Sequence, residues 1–158
     1  KVLRGLSSFK VPLGRGNNTY LKYKNRNFLL IDDSYNSNPA SLIASLESFS
    51  KLQVRGRKIL VLGDMMELGE NSTKLHRDLR VKVESFHFNI LFTVGKHMYE
   101  LNRVVKKMED KYHDNNLNNL SEKLLKYLKG GDAILFKGSN SVNLKKVIDN
   151  IKKKCEEI

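Results

Sequence analysis

Three short aliphatic runs, each closed by a glycine, limit the fold more than any other feature: "KILVLG" at 58–63, "NILFTVG" at 89–95 and "DAILFKG" at 132–138. A strand buried on both faces reads as continuous apolar residues, because neither face meets water and nothing demands a polar alternation. The segments between the runs carry a helical period instead. Leu42, Leu46, Phe49 and Leu52 lie close to one face, and Pro39 suits the first turn of that helix. "STKLHRDLRVKVESF" puts Leu75, Leu79, Val83 and Phe86 on one stripe and predicts a helix over 72–86, and "HMYELNRVVKKM" does the same through Met98, Leu101, Val105 and Met108. A weak strand near "KYH", a helix at "LSEKLLKYL" and a closing helix with Val147, Ile148 and Ile151 inward complete the alternation. Ahead of all these, "TYLKY" and "NFLLID" joined by "KNRN" predict a hairpin. Strands alternating with helices predict an α/β fold: a doubly wound, mainly parallel, Rossmann-like sheet with an N-terminal β-hairpin and helices on both faces.

A chain of 158 residues is enough for one complete core and too short for two. No apolar run approaches the roughly 18 residues of a membrane span, so a soluble protein is expected. Cys155 is the only cysteine, which excludes a disulfide framework or a cysteine-built zinc site within the chain and fits a reducing, cytoplasmic setting. The net charge of +12 suggests an anionic partner, yet the lysines are spread over every helical segment ("VVKKM", "LKKVIDNIKKK") as on a solvated surface. Nucleic-acid binding would want aromatics inside a basic patch, and "LKYKNRNF" is too small to supply one. Residues 1–14 carry no Met and no signal-peptide pattern. Val2, Leu6 and Phe9 share a helical face there until Pro12 and Gly14 end it, which reads either as a tail or as the end of a preceding domain. The domain proper is expected over 15–158.

In an open parallel sheet, ligands bind beyond the carboxyl ends of the strands, where helix N-termini also present free N–H groups. The residues falling there are Asp32, Asp33 and Asn36; Gly63, Asp64 and Glu67; Gly95, Lys96 and His97; and Lys137, Gly138 and Ser139. Each has a plainer use. Asn36, Ser37 and Asn38 can cap the helix that Pro39 begins, Asp33 can close a turn, and Met65 and Met66 can be packing filler. Two adjacent carboxylates exceed what capping requires, however, and a lysine before Gly-Ser at a helix start suits an anion. No "GxxxxGK[ST]" is present, so this chain has no phosphate-cradling P-loop, and "GRGNN" precedes a hairpin and opens no helix. The histidines at 76, 87, 97 and 113 lack metal-ligand spacing. A phosphoacceptor receiver domain would also set paired acids, a further Asp, a Thr and a Lys at strand ends, as Asp32, Asp33, Asp64, Thr93 and Lys137 are set here. Against it stand Gly138, where a receiver usually has proline, the hairpin before the acidic strand, and the chain length.

"GRG" before a hairpin, "IDDSYNSNPAS" into a helix, "KILVLGDMMELGENSTKLHRD", "LFTVG" and "GDAILFKGSNS" resemble, in order and spacing, the C-terminal domain of the Mur ligases. The resemblance covers roughly residues 14 to 150, and residues 1–14 would then end a central ATPase domain. It implies an ATP- and magnesium-dependent amide-bond-forming ligase of bacterial peptidoglycan synthesis. Within the family, "DDSYNSNP" and "LGDMMELG" point to the member that joins D-alanyl-D-alanine to UDP-N-acetylmuramoyl-tripeptide through an acyl phosphate. The P-loop would sit in the central domain, and this domain would close over it; alone it is expected to be inactive. By the resemblance, Arg15 would reach the ATP phosphates as the catalytic cation, and Asp33 would accept from ribose hydroxyls or act with Asp32 on the incoming ammonium. Asn36 and Asn38 would hydrogen-bond near the nucleotide or the reacting carbonyl, and Tyr35, Lys137, Gly138 and Ser139 would bind the dipeptide. The family commonly has an arginine after "KGS" where this chain has Asn140, so the cation expected there must come from elsewhere or the site is weaker, and Asp64 and Glu67 are read as shaping their loop.

Overall fold

The computed structural model describes residues 13–158. The helical face expected at Val2, Leu6 and Phe9 lies outside them. β1 (Asn17–Tyr23) and β2 (Arg26–Asp33) form the antiparallel hairpin, joined through a turn at 24–25 in which Lys24 takes φ 55°. β2 then runs parallel to β6 (Ala133–Lys137), which is followed across the sheet by β3 (Lys58–Gly63), β4 (Ile90–Val94) and β5 (Asp110–His113). On the far side of β1 lies the short antiparallel β7 (Glu156–Glu157), so the sheet order is β5-β4-β3-β6-β2-β1-β7.

The chain leaves β2, passes through α1 (Pro39–Lys51) and enters β3, skipping the position beside β2 that β6 later fills. This is the topological switch that the alternation predicts. α1, α2 (Ser72–Asp78), α3 (Arg80–Ser85) and α4 (Lys96–Val104) cover one face, and α5 (Leu117–Tyr127) and α6 (Leu144–Lys152) cover the other. Alternate residues of one strand serve the two cores. Ile59 and Val61 pack with Leu124, Val147 and Ile151, while Leu60 and Leu62 pack with Leu46, Val83 and Leu101. Every residue of β4 and β6 is buried, which is why those runs show no polar alternation.

The expected helix over 72–86 is two helices that turn at Leu79, whose N–H bonds to the His76 carbonyl at 3.3 Å in a tightened turn. The buried stripe also shifts by one residue at its start: His76 is fully buried and Leu75 only partly. α4 stops at Val104 because Val105 is extended (φ −66°, ψ 131°), so Val105 and Met108 reach the core from a connecting segment. β7 was not foreseen, since two glutamates carry no strand signal.

Candidate active site

Parallel register brings the candidate residues to one rim. Asp33 pairs with Lys137 across β2 and β6, and Lys137 stands opposite Leu62 across β6 and β3. The Lys137 side chain, 4% exposed, turns back under the loop that follows β2. Its ammonium lies 3.2 Å from Asp33 Oδ2, 2.5 Å from the Asn36 carbonyl and 3.5 Å from the Asp33 carbonyl. Its three donors therefore have three acceptors from this chain. Lys137 thus acts as a strut under the "DDSYN" loop.

The loop itself uses several predicted residues for its own shape. Asp32 is buried, and its Oδ1 accepts from the Ser34 backbone (3.1 Å) and hydroxyl (2.6 Å), closing an Asx turn. Asn36 accepts from the Ser37 backbone at 2.8 Å. Asn38 caps α1 in a reciprocal capping box, its Oδ1 accepting from Ser41 N–H at 2.8 Å while Ser41 Oγ accepts from Asn38 N–H at 3.0 Å. The plain reading of Asn38 is the one the geometry uses, and Asp32 faces its own turn. Ser37 differs: its hydroxyl is the one buried side-chain polar atom without a hydrogen bond among the described residues.

Asp33 and Arg15 face open space. They line the same cleft of about 420 Å³, whose floor and wall are Ile31, Leu135, Ala44, Phe49 and Leu52, with Asn18, Ser45 and Ser48 at its polar edge. Asp33 Oδ2 takes both Ser45 Oγ (2.5 Å) and Lys137, which leaves Oδ1 without a hydrogen bond among the described residues. Arg15 sits between Gly14 and Gly16, is exposed, and places its guanidinium carbon 4.7 Å from the centroid of the Tyr35 ring. No acceptor among the described residues engages that guanidinium. A permanent cation and a carboxylate oxygen thus stand at one mouth without pairing with each other.

The "GDMMELG" loop after β3 has a structural explanation. The Asp64 carboxylate accepts from Met98 N–H at 2.7 Å and His97 N–H at 3.2 Å, so it caps α4 from across the sheet. Gly95 opens α4 at φ 105° and carries no capping side chain; a Cβ there would stand 2.3 Å from the Asp64 carboxyl carbon. His76 fixes the next residue: its Nδ1 donates to the Ser72 carbonyl at 2.7 Å and its Nε2 accepts from Met65 N–H at 2.9 Å, which defines the neutral ring. Burial pushes the His76 pKa below its ordinary value, against the pull of Asp64. Ser139 ties this loop to the corner after β6, since its N–H donates to the Asp64 carbonyl (3.0 Å) and its Oγ accepts from Met66 N–H (2.9 Å). Gly138 lies directly against Gly63 of the neighbouring strand. Met65 is core filler, but Met66 is half exposed on the rim. The receiver-like arrangement does not form: Asp64 is spent on α4, and Thr93 is buried against His113 and Asn102.

The tertiary cap of Asp64, the His76 and Ser139 clips and the Arg15–Tyr35 stack were absent from the sequence reading. Only one left a trace there, a helix starting at Gly95 with no capping side chain of its own.

The rim of this mainly parallel sheet thus joins the Gly14–Arg15 segment that enters β1, an acidic loop and a Lys-Gly-Ser corner. Residues 20–140 match the family model described as Mur ligase, glutamate ligase domain, and the chain belongs to that family. It is 37% identical over 135 residues to the UDP-N-acetylmuramoyl-tripeptide--D-alanyl-D-alanine ligase of Buchnera aphidicola subsp. Acyrthosiphon pisum (strain APS), covering 82% of this chain and 29% of that protein. The enzyme of the same name from Bacillus subtilis (strain 168) is 29% identical over 158 residues, covering 94% of this chain and 32% of that protein. The crystal structure of MurF ligase from Thermotoga maritima in complex with ADP superposes with a TM-score of 0.75 at 27% identity, covering 97% of this chain and 36% of that one. The chain thus spans about a third of the length of these relatives.

Proposed function

We propose that this chain is the closing domain of an ATP-dependent ligase that adds D-alanyl-D-alanine to UDP-N-acetylmuramoyl-tripeptide during peptidoglycan precursor synthesis in the bacterial cytoplasm. The observation that carries the reading is that Arg15, whose guanidinium has no acceptor among the described residues, lines the same apolar-walled cleft as Asp33, whose Oδ1 is open. The relatives that bear this activity by name supply the substrates. The donor set fits a nucleotide. In this reading Arg15 meets phosphate oxygens with several N–H donors, Asp33 Oδ1 accepts from a ribose hydroxyl, and Mg²⁺ arrives with the phosphates.

The reaction activates the tripeptide carboxylate as an acyl phosphate, which the dipeptide amine attacks. This chain's residues act on it by position. Arg15 brings positive charge to phosphate oxygens as charge develops, and the domain's closure keeps water from the activated carboxyl. The dipeptide lies against the corner at Gly138 and Ser139, while Lys137 holds the neighbouring loop in place from below. The remaining N-terminal and central domains, the latter carrying the P-loop, belong to the same proposal, with residues 1–14 leading out of the central one.

The test is amide-bond formation from UDP-tripeptide, D-alanyl-D-alanine and ATP by the full-length enzyme. Arg15→Ala is expected to lower kcat about 100-fold, the scale for removing one donor to a charged transition state, with the dipeptide KM changed far less. An unchanged kcat would remove Arg15 from the reaction. The 158-residue chain alone should turn over no UDP-tripeptide.

A further inference from the structure

Arg15 raises a question that its proposed role does not answer. It is an exposed side chain with several rotatable bonds, set between two glycines with φ of +79° and +80°, and no hydrogen bond among the described residues orients its guanidinium. A cation so placed would be ordered only at the ligand's expense. Resting on the reading above, we propose that Tyr35 is the positioning residue for Arg15: its ring is the shelf that aims the guanidinium into the Asp33 cleft before any ligand arrives.

Three observations support this assignment. Tyr35 is half exposed and belongs to neither hydrophobic core, so packing does not explain a large aromatic there. The Arg15 guanidinium carbon stands 4.7 Å from the ring centroid, within cation–π range. The contact uses none of the guanidinium N–H groups in a hydrogen bond to the described residues, so they remain for oxygen atoms. The backbone fixes the pair as well as the side chains do. Tyr35 N–H donates to the Gly14 carbonyl at 2.9 Å, and Gly16 N–H donates to the Asp32 carbonyl at 2.8 Å, so the loop bearing Arg15 is stitched on both sides to the loop bearing Tyr35. The approach is close enough that a Cβ on Gly14 would stand 2.9 Å from Tyr35 N. Shelf and cation thus move as one unit.

Two measurements test the assignment. In the 158-residue chain, the Arg15 side-chain protons should show an upfield ring-current shift that survives Tyr35→Phe and disappears in Tyr35→Leu. In the full-length enzyme, Tyr35→Leu should lower kcat about two- to fivefold, the rate equivalent of an exposed cation–π contact, with the D-alanyl-D-alanine KM unmoved and Tyr35→Phe retaining most of the rate. Added to Arg15→Ala, Tyr35→Leu should cost nothing more. The assignment is overturned if Tyr35→Phe loses as much as Tyr35→Leu, since the hydroxyl would then be the working group, or if Tyr35→Leu moves only the dipeptide KM. A wild-type rate in Tyr35→Leu alongside an impaired Arg15→Ala overturns the positioning role alone. A wild-type rate in Arg15→Ala overturns the functional reading with it, whatever the proton shifts show.

Discussion

The two ends of the sheet treat their Asp and Arg side chains differently. At the amino end, Asp132 is 1% exposed and both its oxygens are fully engaged: Oδ1 accepts from Arg57 N–H (2.9 Å) and Nε (3.3 Å), Oδ2 from Arg57 Nη2 (2.7 Å) and Lys129 N–H (2.8 Å). Arg57 also donates to the Tyr127 carbonyl at 2.6 Å, Arg26 reaches the Leu128 carbonyl, and Lys58 reaches the Ser50 carbonyl. The hydrogen bond to Asp132 raises the Arg57 pKa further above its ordinary range. At the carboxyl end, Asp33 has one oxygen held and one open among the described residues, and Arg15 has no acceptor among them. Groups that serve the fold are satisfied completely, while those at the open rim keep bonding capacity in reserve. Both ends contain Asp and Arg, so residue type does not separate them; the count of filled valences does.

The contrast can be broken at either end. The largest expected effect is at the closed end. Asp132→Ala should destabilise the chain by about 3–5 kcal/mol, the scale for stranding one member of a buried pair, read as a fall in the urea midpoint. A loss under about 1 kcal/mol would mean that Arg57 finds water and that this end is less closed than its bond list implies. Next in size is the one fully used carboxylate of the open end. Asp64→Ala should cost about 1–2 kcal/mol, the usual worth of a helix cap, and should speed amide exchange at His97 and Met98 while leaving the Arg57 amide protected. Equal loss of protection at both ends would show that they do not behave as separate regions.

The smallest effect is a pH dependence in the same loop. His76 is held neutral, with its pKa pushed below the ordinary 6.5 by burial and by His97, and pulled back by the Ser72 carbonyl and Asp64. Its folded pKa is therefore the lower one. The stability it contributes is complete above about pH 6.5 and is lost as pH falls towards the folded pKa, because a protonated ring can no longer accept from Met65. Melting curves should show stability declining as pH falls below about 6.5, and a shallower decline in His76→Gln. An unaltered slope in that variant would exclude His76 as its source.

The strands were legible because burial on both faces leaves an unmistakable record: β3 begins and ends where "KILVLG" does. α1 was legible because Pro39 and the Leu42–Leu46–Phe49 spacing are local signals. The burial of His76 in place of Leu75 was not, because a polar ring is drawn inside by the Ser72 carbonyl and the Met65 N–H, which no local spacing signals. The same reason explains the site. Which residues reach the rim follows from strand ends and was readable; which of them are already spent was not. Lys137 looked available from its neighbours Gly138 and Ser139, and its commitment to Asn36, 101 positions away, has no local signature. Asp64 and Gly95 are likewise joined only through the pairing of β3 with β4.

The sheet's two outer borders have a bearing on how the molecule behaves in a crowd. β5 offers four residues and β7 only two, and both residues of β7 are exposed glutamates. A second molecule trying to extend the sheet would find four rungs at β5 and, on the other border, would meet the two glutamates where β7 covers Leu21 and Lys22 of β1. Concentrated solutions should therefore resist edge-to-edge aggregation.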